Sequence, residues 1–168
     1  MTACAGRPGQ CLQQVIDKAP IAWFIAPDPL TLLGSVDWRD YEVSSEVLLE
    51  QRGNVTLMGR IDSSDWFQDG KARWPSGYVF TVQDDGGWQL NSSKYKVPTA
   101  KLASGKAPFS LYTWHHLALR FKGISIQALI DSTTVASVTD ATHKAGMAGV
   151  GSGWNRVQFD SFKLASAD

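Results

Sequence analysis

The chain has 168 residues, a length typical of one domain, and its basic and acidic residues are equal in number at 16 each. This balance, with no basic stripe, argues against nucleic acid or an anionic membrane surface as the main partner. No apolar run reaches the roughly 18 residues of a membrane span. We therefore interpret residues 1–168 as a single domain that binds neither nucleic acid nor the membrane interior.

Short alternating runs dominate the sequence after the N-terminus. The segment Met1–Pro20 has little periodicity and predicts a peripheral arm, either extended or with a helical turn at Gln10–Lys18. The runs His115–Lys122 and Ile124–Ile130 flank Gly123 and predict a β-hairpin. The other predicted strands are Leu30–Gly34, Tyr41–Leu49, Gly53–Ile61, Gly77–Gln83, Trp88–Ser92, Phe109–Leu111, Thr133–Val138, Ala145–Gly151 and Arg156–Leu164.

No segment shows a sustained helical period, and turn signals recur about every ten residues. An all-β sandwich of two antiparallel sheets is the economical architecture for such a pattern. In the last run, the spacing of Phe159 and Phe162 is uneven, which predicts a bulge or a twist in that strand.

Cys4 and Cys11 are the two cysteines of the chain. The turn-forming sequence Arg7-Pro8-Gly9 lies between them and favours a small disulfide loop over two free thiols. A disulfide implies an oxidising compartment, and the N-glycosylation sequons at Asn54 and Asn91 agree with it. We therefore expect a secreted, lysosomal or otherwise extracellular location.

The residues that most often carry catalysis do not converge in the sequence. Glu42, Glu46 and Glu50 are spaced to share the wet face of one strand, whereas paired catalytic carboxylates face each other across a cleft. His115 and His116 are adjacent in a strand, so they point to opposite faces and cannot both bind one metal. We therefore expect no catalytic residue in this chain.

Two acidic residues beside aromatic residues suggest a cation site. Asp160 lies between Phe159 and Phe162, where a carboxylate needs a partner. A calcium ion bound by Asp37 and Asp160 would tie the start of the chain to its last strand. The alternative is that Asp37 bonds to amides of its own turn, and that Asp160 pairs with an arginine or the backbone.

The seven tryptophans suggest sugar binding, because exposed indole rings stack on the C–H faces of sugars. The candidate stacking residues are Trp66, Trp74 and Trp154. For Trp66 and Trp74 the alternative is burial beneath their own polar loop. Arg60 could donate hydrogen bonds to sugar hydroxyls; its alternative role is a structural ion pair with Asp62 or Asp160.

Several stretches carry a family resemblance in their order and spacing. They are Gly9–Val15, Pro20–Trp23, Leu33–Tyr41, Met58–Arg60, Tyr112–Leu117 and Phe159–Phe162. Together they resemble the C-terminal lectin domain of galactocerebrosidase-type enzymes, glycoside hydrolase family 59. The resemblance implies a concanavalin A-like, laminin G-like jelly-roll sandwich. It also implies a calcium ion joining Ser35 and Asp37 to Asp160, although the family often has an acidic residue in place of Ser35.

The resemblance further implies carbohydrate binding without catalysis. The family's catalytic glutamates lie in a separate barrel of roughly 250 residues, and no part of this chain matches it. We expect a lectin-like domain that recognises galactose-containing glycans, alone or as part of a galactocerebrosidase-like glycosidase. The alternative is a structural domain that buttresses a catalytic barrel and binds no sugar by itself. A small glucanase would need closely spaced carboxylates along one strand, a pattern this sequence lacks.

Overall fold

The computed structural model describes residues 1–19, 28–62, 75–94 and 97–167, and the regular structure in these ranges is β-strand. The strands are β1 (Thr2–Ala3), β2 (Gln10–Gln14), β3 (Leu30–Leu33), β4 (Tyr41–Leu49), β5 (Asn54–Asp62), β6 (Ser76–Gln83), β7 (Gly87–Lys94), β8 (Val97–Lys106), β9 (Trp114–Lys122), β10 (Ser125–Ile130), β11 (Thr133–Thr139), β12 (Met147–Ser152) and β13 (Val157–Ser166). The predicted all-β class is confirmed for these residues. None of them forms a helix that is long and apolar enough to span a membrane.

The strands form two antiparallel sheets that pack face to face. The seven-stranded sheet has the order β1-β2-β13-β4-β9-β10-β11, and the six-stranded sheet has the order β3-β12-β5-β6-β7-β8. Consecutive strands β5 to β8 are neighbours, as are β9 to β11, whereas β3, β4, β12 and β13 alternate between the sheets. The predicted two-sheet sandwich is therefore present.

The core lies between the sheets and consists of the inward positions of both. Successive residues of a strand point to opposite faces, so every second residue enters this core, and a second, smaller buried cluster contains Met58, Ile61 and Val79. The residues that meet in this core include Val43, Val47 and Leu49 from β4, Leu57 from β5, Phe80 and Val82 from β6, Leu90 from β7, and Leu117, Leu119 and Phe121 from β9. The residues that belong to this core fix which positions of their strands face outward.

The central hairpin matches its prediction. Strands β9 and β10 pair with Lys122 opposite Ser125, and Gly123 has a φ of 56° in the turn. The predicted strand at Phe109–Leu111 is wrong: Phe109 is buried against the His115 ring, and a turn follows before β9 begins. Strand β8 was not predicted, because nearly all of its residues are exposed at the sheet edge and show no alternation.

The N-terminal arm forms the edge of the seven-stranded sheet. Strand β2 pairs with β13, with Val157 opposite Gln14, so this part of the arm is extended rather than helical. The predicted disulfide between Cys4 and Cys11 is present, and it closes the loop between β1 and β2. The arm is therefore fastened to the last strand of the fold.

Two β-bulges lie at residues that the sequence analysis singled out as candidate site residues, Asp160 and Arg60. In β13 the register shifts between Asp160 and Lys163, and Ser161 has a φ of 50°, which confirms the predicted irregularity. In β5 the register with β6 shifts between Gly59 and Asp62, and Arg60 has a φ of 49°. A bulge with a left-handed residue bends its strand and turns a side chain away from the regular alternation, which is how Arg60 enters the interior.

Candidate functional site

A row of neutral polar residues crosses the outer face of the six-stranded sheet. Thr81 of β6 is paired with Gln89 of β7, and Gln89 is paired with Ser104 of β8. On the other side Thr81 is paired with Thr56 of β5. Neighbouring strands lie about 4.8 Å apart, so the row is roughly 14 Å long.

The row lies in a concavity of about 580 Å³, a volume within the range of small-molecule binding sites. We call its outward neutral side chains the polar face: Asn54, Thr81, Gln83, Gln89, Asn91 and Ser104. They are outward because their strand neighbours, such as Phe80 and Leu90, belong to the core. The sandwich fold thus displays amides and hydroxyls on one rigid surface.

The polar face has unused hydrogen-bonding capacity. Within the part of the chain that the structure describes, the side-chain amides of Gln89 and Asn91 have no hydrogen-bond partner in the protein. Each amide can both donate and accept, which matches the hydroxyl groups of a sugar. The charges at the rim are paired: Asp85 lies 3.6 Å from Lys106. The Gly87 N–H and Lys106 lower the pKa of Asp85.

Trp88 forms part of the floor beneath this face. It is only 7% exposed, and it is paired with Gly105 on β8. A Cβ atom at position 105 would lie 2.7 Å from the Trp88 ring, so glycine is required for the indole to sit at this level. The indole Nε1 is buried without a partner among the described residues. A larger residue at position 105 would collide with the indole ring.

The three predicted stacking residues have different outcomes. Trp154 lies in the turn between β12 and β13, where it is half-buried and has a φ of 62°. The next residue, Asn155, accepts a hydrogen bond from the Asn54 N–H at 3.1 Å. Trp154 therefore lies beside the Asn54 end of the polar face, and sugar stacking by Trp154 stays a prediction. Trp66 and Trp74 lie outside the described residues.

Arg60 occupies the interior and not the surface expected of a sugar contact. Its side chain is 2% exposed. The guanidinium donates to the backbone carbonyls of Arg39, His143 and Gly123 at 2.8 to 3.1 Å and to Asp40 Oδ1 at 3.2 Å. The structural alternative thus describes Arg60 better, with Asp40 as a carboxylate partner. The β5 bulge explains why alternation alone misplaced this residue.

Two buried tyrosines complete the polar interior around Arg60. The Tyr41 hydroxyl accepts the Arg60 backbone N–H at 2.6 Å and donates to the Gly146 carbonyl, and burial raises the Tyr41 pKa to about 12. The Tyr78 hydroxyl donates to Asp140 at 2.6 Å, and burial raises the Tyr78 pKa further. Burial also lowers the pKa of His143. These groups serve the packing of the sandwich and do not open onto the polar face.

The predicted calcium ligands belong to two different elements of the described structure, the turn before β4 and strand β13. Ser35 and Asp37 stay in the turn before β4, where the Asp37 N–H donates to Ser35 Oγ at 3.2 Å, and Trp38 packs on Tyr41. Asp160 is opposite Glu46 in the register of β13 and β4. Tyr41 and Glu46 are about five residues apart on β4, which is roughly 16 Å. Asp160 therefore lies beside the middle of β4, whereas Ser35 and Asp37 lie in the turn before it, and calcium binding by these three residues stays a prediction.

The remaining acidic and histidine residues are engaged with one another. His115 Nδ1 lies 2.7 Å from Asp131, and its Nε2 accepts the Ser110 N–H, so both ring nitrogens have partners. His116 is on the opposite face and lies 3.0 Å from Glu46, as the adjacent positions predict. Glu42 pairs with Arg120. The contacts of His116 and Glu42 lie on the sheet surface, whereas His115 is buried against Phe109.

Comparison with known proteins relates this geometry to one family. The family model described as the C-terminal lectin domain of galactocerebrosidase matches residues 3–167. A galactocerebrosidase from Danio rerio is 26% identical over 161 residues, covering 91% of this chain and 23% of the relative. The chain thus spans about a quarter of the length of this curated relative.

Solved structures share the sandwich at low sequence identity. The carbohydrate-binding module CBM66 from Bacillus subtilis matches with a TM-score of 0.64 and 20% identity, covering 76% of each chain. Sheep galectin-11 matches with a TM-score of 0.59 and 12% identity, covering 84% of this chain and 99% of the galectin. At these identities the likeness establishes the fold, and it confirms the predicted jelly-roll class.

Sequence reasoning missed the polar face because no single run displays it. Gln89 follows Thr81 by eight positions, and Ser104 follows Gln89 by fifteen. Each of the three resembles an ordinary solvated strand residue. The available signal was their shared character, since the wet positions of β6 and β7 carry amides and hydroxyls in place of charges. Only the strand register reveals that they adjoin.

Proposed function

We propose that this chain, which belongs to the family of galactocerebrosidase C-terminal lectin domains, binds carbohydrate through the polar face of its six-stranded sheet. The observation that carries the proposal is the pair of amides of Gln89 and Asn91, which have no partner among the described residues and lie in a concavity of about 580 Å³. Neutral donors and acceptors on a rigid sheet suit a ligand rich in hydroxyl groups.

The proposed ligands are galactose-containing glycans. The support for this class is the name of the curated relative, a galactocerebrosidase. Because this chain spans only 23% of that relative, we further propose that it acts as the lectin domain of a glycosidase whose catalytic residues lie in a separate barrel. The Cys4–Cys11 disulfide supports a secreted or lysosomal location for the protein.

The second candidate is a structural domain that buttresses a catalytic barrel. A small exposed apolar surface in and around the turn before β4 favours the buttress role. Its residues Leu33, Val36 and Trp38 are 46%, 53% and 37% exposed. Trp38 also borders a concavity of about 280 Å³ with Tyr41 and Leu164. A contact with another domain would cover this surface. Such a role predicts a folded domain with no sugar affinity of its own.

Glycan binding is expected for the isolated chain, measured first on a glycan array and then by calorimetry with the strongest ligand. The double variant Gln89→Ala/Asn91→Ala should bind that ligand roughly 10- to 30-fold more weakly, since each lost hydrogen bond is worth about 1 kcal/mol. Protein from a host without N-glycosylation avoids modification of Asn54 and Asn91, which are sequon acceptors on the polar face.

The matched control is Gln127→Ala, which removes an amide from the outer face of the seven-stranded sheet. It should leave glycan affinity unchanged. Equal losses in the control and in the double variant would reject the polar face as the site. No binding of any glycan at millimolar concentration would favour the buttress role.

A further inference from the structure

Arg7 lies between two carboxylates on the outer face of the seven-stranded sheet. Its Nη1 atom is 3.5 Å from Glu46 Oε2 and 3.6 Å from Asp160 Oδ2. The guanidinium carbon is 4.0 Å from the centroid of the Trp114 ring. One cation thus contacts two acidic residues and an aromatic face.

The loop that carries Arg7 is fastened to the sheet at several points. The Cys4–Cys11 disulfide closes it. The Ala5 N–H donates to Gln158 Oε1 at 2.9 Å, and the Ala5 carbonyl accepts from Trp114 Nε1 at 2.8 Å. These bonds reach both β13 and β9, so Arg7 is held over the sheet by the fold and not by its ion pairs alone.

The two carboxylates need a positive partner at this place. Glu46 and Asp160 are directly opposite each other on adjacent strands, an arrangement in which like charges destabilise a sheet. Beside Arg7, the groups that face them are His116, 3.0 Å from Glu46, and the Ser161 N–H, 2.7 Å from Asp160. Arg7 contacts both carboxylates, whereas each of these groups contacts one of them.

We propose that the Arg7 guanidinium neutralises the Asp160 carboxylate in this chain. It thereby takes the place of the calcium ion that the family resemblance implies at Asp160. Asp160 Oδ2 already faces the Arg7 guanidinium at 3.6 Å and lies opposite Glu46 in the middle of β4, whereas Ser35 and Asp37 belong to the turn that precedes that strand. The loop closed by the Cys4–Cys11 disulfide places the Arg7 guanidinium beside the Asp160 carboxylate. The junction between the N-terminal arm and the last strand is then held by covalent and ion-pair contacts independently of divalent cations.

The wild-type melting temperature is expected to be the same in EDTA and in millimolar calcium. Arg7→Gln should lower it by roughly 2–4 °C, because it removes partly exposed ion pairs and a cation–π contact. Arg7→Lys, which keeps the charge, should lower it less. Adding Asp160→Asn to Arg7→Gln should recover part of the loss, because the unneutralised carboxylate is gone.

Arg120→Gln is the matched control, since Arg120 pairs with Glu42 on the same sheet face without the disulfide loop. Its effect should not depend on residue 160. A wild-type melting temperature that falls in EDTA and is restored by calcium would overturn the proposal. So would simple addition of the Arg7→Gln and Asp160→Asn effects, because the two residues would then not be coupled.

Discussion

Replacing Arg60 with leucine is expected to lower the free energy of unfolding by about 3–5 kcal/mol. The guanidinium is 2% exposed and donates to three backbone carbonyls and to Asp40. Leucine would leave the buried His143 carbonyl without its donor, which costs about 1–3 kcal/mol, and would also remove three partly buried hydrogen bonds. Urea denaturation followed by tryptophan fluorescence measures the change.

Arg60→Lys separates charge from geometry. A lysine keeps the positive charge, but its single ammonium cannot span acceptors that lie around a planar guanidinium, so a smaller loss is expected than for leucine. The exposed Arg52→Leu is the control and should change stability by less than about 0.5 kcal/mol. Glycan affinity of the folded lysine variant should equal that of the wild type. A selective loss of affinity would restore Arg60 as a sugar contact.

The double variant Cys4→Ser/Cys11→Ser is expected to lose about 2–3 kcal/mol of stability. The disulfide joins residues seven positions apart, and loop-closure entropy for so short a loop gives a value of about this size. The loop also orders Ala5 and Arg7 over the seven-stranded sheet. Denaturation in the absence of reductant, compared with the wild type, measures the loss.

Reductant supplies the internal control for the disulfide. It should destabilise the wild type by a similar amount and leave the serine variant unchanged. Glycan affinity should persist in both, because the polar face belongs to the other sheet. Equal stability of the wild type and the serine variant would show that the loop contributes nothing to the fold.

The strands of this fold are largely predictable because most of them have one face in the core. The predicted strand Tyr41–Leu49 has the same bounds in the structure. The uneven spacing of Phe159 and Phe162 predicts the bulge that the structure shows in β13. The disulfide followed from a turn sequence between two cysteines. In each case the signal lies within one short stretch of sequence, because the burial of one strand or the closure of one turn produces it.

The features that escaped prediction depend on neighbours that are distant in sequence. Strand β8 is exposed along most of its length, so burial leaves no alternating pattern in it. Arg60 appeared to be a surface residue because a bulge, invisible in the sequence, turns it inward. An arginine was one alternative partner for Asp160, but the sequence does not say which one, because Arg7 lies at the other end of the chain.

Glycan binding on the outer face of the six-stranded sheet can be followed residue by residue in solution. Its most direct test is a titration of the isotopically labelled chain with the strongest array ligand, followed by amide chemical shifts. We expect the largest changes on β6, β7 and β8, at Thr81, Gln89 and Ser104. Changes confined to the seven-stranded sheet, or to residues 63–74 with Trp66 and Trp74, would contradict it.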